Sequence, residues 1–192
     1  MSSSSNSISS HLQYHIEPKS DGEHTNGWAL FFWHPPSAFN NWTLIKFKDK
    51  EGIEYDCIEQ YMMAQKALLF QDKETYSKIM ITIDGKQLKD LGRKVKGFED
   101  SIWDEKCDQI VENGLYFKFS QNEPYKQKLL ATGHLMLVEA SPFDKRWGIG
   151  VDAKKAMKYK GPEQFKGENR LGKALMRVRE QLNKESENVN EK

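Results

Sequence analysis

Ile58-Glu59-Gln60-Tyr61-Met62-Met63-Ala64-Gln65-Lys66-Ala67-Leu68-Leu69-Phe70 sets a carboxylate and an ammonium seven residues apart inside an apolar run. That spacing is two helical turns, so Glu59 and Lys66 share one face of a helix. Ile58, Tyr61, Met62, Gln65, Leu68 and Leu69 form a wide apolar stripe on the helical wheel, and Met63 and Phe70 lie just beyond the charged pair. Only Gln60, Ala64, Ala67 and Gln71 fall behind it. Such a helix is mostly buried, and ionisable groups on a buried helix are costly unless they are paired or used. The pair therefore reads either as the beginning of an active site or as a buried ion pair that only orders the helix.

Upstream of this helix, Trp28-Ala29-Leu30-Phe31-Phe32-Trp33 is a short apolar strand candidate stopped by Pro35-Pro36. Thr43 to Lys48 and Ile53-Glu54-Tyr55 alternate in polarity around the turn Asp49-Lys50-Glu51-Gly52, which predicts a small antiparallel hairpin. Downstream the signals are helical. Asp84-Gly85-Lys86-Gln87 has capping-box spacing and opens a short helix through Leu88 and Leu91 that is expected to stop at Gly92. Ile102, Trp103, Ile110, Val111 and Leu115 follow a helical period from about Ser101 to Phe119. Pro124 suits the first turn of a helix through Leu129 and Leu130 that ends at Gly133. Leu135 to Val138 is a strand or an extended connector, and Asn169 can cap a last helix carrying Leu171, Leu175, Val178 and Leu182. The fold class is mainly α, a single-domain helical bundle with a small N-terminal antiparallel β-hairpin.

The ends differ in composition from the middle. Residues 1–27 are serine-rich, lack the apolar core of a secretory signal and read as a disordered tail; the folded domain spans 28–182, and 183–192 is a polar C-terminal tail. A chain of 192 residues carries one core of good size. Its 29 basic and 28 acidic residues nearly cancel, so charge alone implies neither a nucleic-acid-tracking surface nor a membrane-binding face. No apolar run reaches the roughly 18–20 residues needed to cross a bilayer. Cys57 and Cys107 have neither metal-type nor disulfide-framework spacing, so a reduced chain in the cytoplasm or nucleus is expected. No metal site is expected either, because His11, His15 and His24 lie in the tail and His34 and His134 lack partner ligands at useful spacing. No phosphate-loop, dinucleotide or nucleophile-elbow motif occurs, and no cofactor is expected.

Three loops carry polar and aromatic residues together. Ser141-Pro142-Phe143-Asp144-Lys145-Arg146-Trp147-Gly148-Ile149-Gly150 holds an indole close to a carboxylate, which is either a sugar- or base-binding arrangement or a packed loop with a capping aspartate. Lys166-Gly167-Glu168-Asn169-Arg170-Leu171-Gly172 enters a helix, where backbone N–H groups and Arg170 can take a phosphate, or where Asn169 is an ordinary cap. Pro36-Ser37-Ala38-Phe39-Asn40-Asn41-Trp42 is a turn between strands or a base-recognition loop.

The order of these pieces is more specific than any one of them. Asn40-Asn41-Trp42, Glu59-Gln60-Tyr-x-x-x-x-Lys66-Ala67, Trp103, Leu-x-x-Thr132-Gly133, Glu139-Ala-Ser-Pro-x-Asp144-x-x-Trp147-Gly-x-Gly150 and Gly167-x-Asn169-x-Leu-Gly172-x-x-Leu-Met-x-x-Arg179 together resemble the NADAR (YbiA-like) family over about residues 28–182. The family pattern usually has Ser-Asn-Phe where Asn40-Asn41-Trp42 stand, often His where Gln60 stands, and often Trp where Phe165 stands. The resemblance implies a mainly helical, YbiA-like fold and an N-glycosidase that cleaves a ribose C1–N bond. Two substrate classes go with it: ADP-ribose attached to guanine, in DNA, RNA or a nucleotide, and ribosylated intermediates of the riboflavin pathway. The first is the leading reading. A module that binds ADP-ribose or NAD without cleaving it is a further alternative. No membrane partner and no obligate protein partner are implied.

Cleaving that bond builds positive charge at C1 and O4 of the ribose, which a nearby carboxylate stabilises. Under this resemblance Glu59, Lys66 and Asp144 are the expected catalytic residues. Either acid can take the ribose hydroxyl while the other handles base or water, and the Lys66 amine can attack C1 of the opened sugar to give a Schiff base. Trp103 and Trp147 are expected to stack on the base or flank the ribose with help from Phe39. Asn40, Asn41, Gly148, Asn169 and Arg170 complete the expected substrate contacts. The near-neutral charge implies that nucleic acid is held locally at the modified base, with a shallow salt dependence.

Overall fold

The computed structural model describes residues 22–190, and the Glu59 segment is the helix around which the others pack. Helix α1 (Ile58–Leu69) contacts α2 (Lys73–Met80), α3 (Gly85–Arg93) and α4 (Asp100–Ser120). Nine of its twelve residues are buried, including Gln60, Ala64 and Ala67, which the helical wheel places behind the stripe. Small alanine side chains let neighbouring helices approach on that side. Leu68, expected on the stripe, is exposed in the last turn, just before the chain leaves through Gln71 at φ 59°. Gln60 is a staple, with Nε2 donating to Thr82 O at 3.0 Å and Oε1 accepting from Asp56 N at 2.7 Å.

Asp84 caps α3 by accepting from Gln87 N at 2.8 Å. The helix does not stop at Gly92 as expected but runs on to Arg93. A Cβ at Gly92 would lie 1.8 Å from Met63 Sδ, so this glycine permits close approach of α3 to α1 and does not terminate the helix. Helices α5 (Glu123–Ala131), α6 (Ala153–Ala156) and α7 (Arg170–Asn190) complete a largely helical molecule. The polar stretch from residue 183 continues α7 instead of forming a tail, because Lys184 pairs with Glu180 at 2.7 Å and Gln181 with Glu185 at 3.0 Å along its exposed side. Among the described residues no helix is long and apolar enough to cross a membrane.

A helical bundle with one hairpin is an incomplete description. Strands β3 (Phe47–Lys48) and β4 (Glu54–Tyr55) pair antiparallel, but a second sheet runs in the order β1 (His24–Thr25), β2 (Ala29–Phe32), β5 (Met136–Glu139). Strands β2 and β5 are parallel, with Phe32 opposite Glu139. Every residue of β2 is buried: Leu30 and Phe32 face the main core, while Ala29 and Phe31 join Val138, Ala140 and Ile149 on the other side. Two covered faces explain why β2 reads as a continuous apolar run.

Residues 1–21 of the expected tail lie outside the described residues, whereas 22–27 belong to the domain. Strand β1 pairs with β2, and the buried Glu23 accepts from Ser37 Oγ at 2.7 Å and pairs with Lys128 Nζ at 3.0 Å.

Helix α7 lies against β5 so closely that a Cβ at Gly172 would meet Leu137 O at 2.0 Å and the Asn169 side chain at 2.6 Å. A backbone carbonyl cannot swing aside as a side chain can. Gly172→Ala is therefore expected to destabilise the domain by about 1–3 kcal/mol. Thermal unfolding is the check, and an unchanged Tm would contradict this packing.

Candidate functional site

One face of α1, the second half of α3, the C-terminal end of β5 and the loops 33–42 and 141–147 converge on a cavity of about 280 Å³. Helix α1 supplies Glu59, Met62, Met63 and Lys66, and α3 supplies Lys89, Gly92 and Arg93. The first loop brings Trp33, His34, Asn40, Asn41 and Trp42; β5 and the second loop bring Glu139, Ser141, Phe143, Asp144 and Trp147. The volume lies near the lower end of small-molecule sites, about 300–1,000 Å³.

Lys66 forms no ion pair with Glu59, so the reading of a purely structural pair does not hold. Its Nζ donates to Gly92 O at 2.8 Å and sits 3.9 Å from the Phe98 ring centroid and 5.5 Å from that of Trp103. Burial lowers its pKa, the nearby Arg146 guanidinium adds to this, and Asp100 opposes it. Desolvation favours the neutral amine, and the two aromatic faces favour the ammonium.

Three carboxylates face the same space. Glu59 is almost fully buried, accepts from Trp42 Nε1 at 3.3 Å and is anchored by its backbone N donating to Asn41 O at 2.9 Å. Burial pushes its pKa up to about 7, against the pull of Lys89 and the Trp42 hydrogen bond, while the Asp144 charge pushes further upward. Glu139 is pushed up to about 8 by burial and then by Asp144 and Glu59, and its Oε2 is buried without a hydrogen-bond partner. Asp144 is well supplied with donors: Oδ1 accepts from Arg146 N at 3.0 Å and Trp147 N at 2.9 Å, and Oδ2 lies 3.3 Å from Lys89 Nζ. The result is one carboxylate fixed by hydrogen bonds beside two carboxyls that hold a proton near neutrality.

The cavity brings together Glu59, Lys66, Asp144, Asn40, Asn41 and Trp147 of the residues expected from sequence. Asn41 Oδ1 is buried with no partner, an acceptor left for a ligand. Five expected contacts lie elsewhere. Phe39 is fully buried between Phe32 at 5.7 Å and Phe119 at 6.2 Å, so it packs the core and does not stack on a ligand. Trp103 is a core residue whose ring centroid lies 5.5 Å from Lys66 Nζ. Gly148 is buried, its carbonyl accepting from Asn169 N at 3.1 Å. Asn169, at φ 54°, makes no side-chain cap: its Nδ2 donates to Leu137 O at 2.9 Å and its Oδ1 accepts from Glu139 N at 3.0 Å, which orients the end of β5. Arg170 is engaged by Glu168 at 2.7 Å and Asp104 at 2.6 Å.

Sequence reasoning passed over Glu139, Lys89 and Trp42 as site residues. Trp42 stood beside two residues that were singled out. Glu139 ends an apolar strand, where a lone carboxylate is a signal once the strand's partner is known.

A sequence profile of the NADAR domain matches residues 31–183. The chain is 45% identical over 148 residues to an N-glycosidase of Acanthamoeba polyphaga mimivirus, a match covering 74% of this chain and 86% of that one. It is 32% identical over 150 residues to an N-glycosidase of Nostoc punctiforme, covering 78% of this chain and 88% of the other. The NMR structure of the E. coli protein YbiA superposes with a TM-score of 0.67 at 26% identity, covering 86% of this chain and 90% of that one. The chain therefore belongs to the NADAR family and is a hydrolase.

Proposed function

We propose that this hydrolase cleaves the N-glycosidic bond between ribose C1 and a base nitrogen, and that its substrate is ADP-ribose joined to guanine in DNA, RNA or a nucleotide. The observation that carries the reading is a desolvated lysine and three carboxyl groups, two of them raised by burial, around one cavity edged by the indoles of Trp33, Trp42 and Trp147. A module that only binds ADP-ribose has no need to gather a buried lysine, a buried Glu59 and two further half-buried acids around one cavity, since each costs free energy to desolvate. Lys89 and Arg93 on α3 give the mouth a positive edge suited to phosphates.

Each group has a chemical role in this reading. The protonated Glu59 carboxyl gives its proton to O4 as the C1–O4 bond opens, and the Asp144 charge stabilises the cation that develops at C1. The neutral Lys66 amine adds to C1, and the base departs with the amine's proton, leaving an iminium between Lys66 and C1. Glu59, now ionised, takes a proton from water as it adds to the iminium; the amine then leaves and the sugar closes. Glu139, which holds the second proton of the cluster, gives it to the departing amine and takes back the one that the C1 hydroxyl sheds as the carbonyl forms.

The direct test is product release. Full-length protein is incubated with an oligonucleotide carrying ADP-ribosyl-guanine and, separately, with the ribosylaminopyrimidine phosphate of the riboflavin pathway, and products are followed by mass. Free ADP-ribose and unmodified guanine are expected from the first. Turnover of the second alone would reassign the substrate. Tight ADP-ribose binding with no product from either would make the protein a binding module.

A further inference from the structure

Lys118 of α4 has no exposed surface, yet the mechanism above makes no use of it. Its Nζ donates to Ala38 O at 2.7 Å and reaches Asn40 O at 3.5 Å, and it lies 5.4 Å from the Phe119 ring centroid. Both carbonyls belong to the loop that lines the cavity. Among the described residues no ion pair with a carboxylate is found for this amine. Burying an amine this way costs several kcal/mol relative to an apolar side chain of the same volume, unless its donors hold something in place.

What they hold leads to the site. Asn40 Oδ1 accepts from Trp42 N at 2.7 Å, while Asn40 Nδ2 donates to Trp33 O. Asn41 O then accepts from Glu59 N at 2.9 Å, and Trp42 Nε1 donates to Glu59 Oε2 at 3.3 Å. A short run of backbone thus connects two carbonyls gripped from behind by Lys118 to the donor and acceptor that grip Glu59 in front.

We infer that Lys118 is a positioning residue for Glu59: by pinning the carbonyls of Ala38 and Asn40 it holds Asn41 and Trp42 against the first turn of α1. A neutral amine donates to carbonyls as an ammonium does, so the grip does not require the charge. What matters is two donors at the end of a long buried stem.

The test reads Trp42 directly. In the full-length, 15N-labelled protein the Trp42 indole N–H, assigned by its loss in Trp42→Phe, should titrate with Glu59, which faces Lys89 and Arg93 of α3, Asp144 of the loop and Glu139 of β5. Glu59→Gln should abolish that titration. Lys118→Met fills the volume without donors; with it the indole response to Glu59 should be lost, or its midpoint should move upward because the Trp42 bond normally favours the ionised acid. The rate should fall roughly 10- to 100-fold in kcat with little change in KM, as for a displaced catalytic group. Lys118→Gln, which keeps one donor, should fall between the two. This kinetic arm rests on the proposed activity, whereas the resonance arm does not, so a protein without N-glycosidase activity still tests the grip. An unchanged Trp42 titration in either folded variant would overturn the inference. So would a wild-type indole indifferent to Glu59→Gln, or the collapse of both Lys118 variants, since the lysine would then hold the core and not the loop.

Discussion

Lys66→Met is expected to lower turnover by at least about a thousandfold while leaving the fold intact, the scale seen when a covalent nucleophile is removed. The site treats this amine unlike a surface lysine. Burial lowers its pKa and its Nζ donates to the neutral Gly92 carbonyl, while the Asp100 charge pulls the other way without reversing the shift. The sign of the stability effect follows. A folded pKa below the unfolded value of 10.5 means that the folded state binds the proton less tightly. Protonated Lys66 therefore weakens the fold at neutral pH, and the penalty is relieved as pH rises from the folded pKa toward the unfolded one. Lys66→Met should then match or exceed the wild-type Tm at neutral pH, which separates lost chemistry from lost folding. Borohydride added during turnover should reduce the iminium to a secondary amine that joins the ribosyl group to the peptide containing Lys66. A wild-type rate in Lys66→Met would remove the residue from the mechanism. Turnover in the wild type with no trapped adduct would leave Lys66 as an electrostatic contributor to direct hydrolysis.

Glu59 and Lys66 line one cavity because their relative placement depends on a local rule. They share a face because seven residues close two turns, and the cap at Asp84 starts α3 where the sequence spacing puts it. What was not legible depends on distant contacts. Strand β5 finds β2 across more than a hundred residues, and only that pairing carries Glu139 into the cavity. Helix α2 escaped notice because it buries only Thr75 and Ile79, too few positions to mark a helical period. Asn169 looked like a cap because asparagines at helix starts commonly are; its left-handed backbone instead turns the amide onto β5. Trp103 on a helix reads more readily as core than as a stacking platform and lies in the core, as does Phe39; ring type alone does not distinguish a core face from a ligand face. Gly92 looked like a stop because its real constraint, the sulfur of Met63, belongs to another helix.

Glu59→Gln should reduce kcat by about 10²- to 10⁴-fold, the range for removal of a general acid or base, and should change the shape of the pH profile as well as its height. In the wild type Glu59 is needed protonated and Lys66 neutral, so loss of the Glu59 proton through about 7, where burial has placed its titration, should add a falling limb that works against the rise Lys66 deprotonation gives. The glutamine variant cannot give up a proton, so that limb should disappear from whatever activity remains. Stability supplies an independent reading with its own sign. The folded pKa lies above the ordinary 4.5, so the folded state binds this proton more tightly, and the benefit, complete below about 4.5, is lost as pH climbs through about 7. Replacing the acid with a neutral amide should therefore raise stability on the alkaline side, on the order of 1–3 kcal/mol, and do little in acid. Glu139 provides a second check, because the Glu59 charge is one of the influences holding its titration near 8. With that charge removed, the Glu139 midpoint, followed by its side-chain carbon resonance, should move downward. If the alkaline limb persists in Glu59→Gln and Glu139 does not move, Glu59 is not the acid and the carboxylates are not coupled. The proton would then have to come from Glu139, whose buried Oε2 has no hydrogen-bond partner among the described residues.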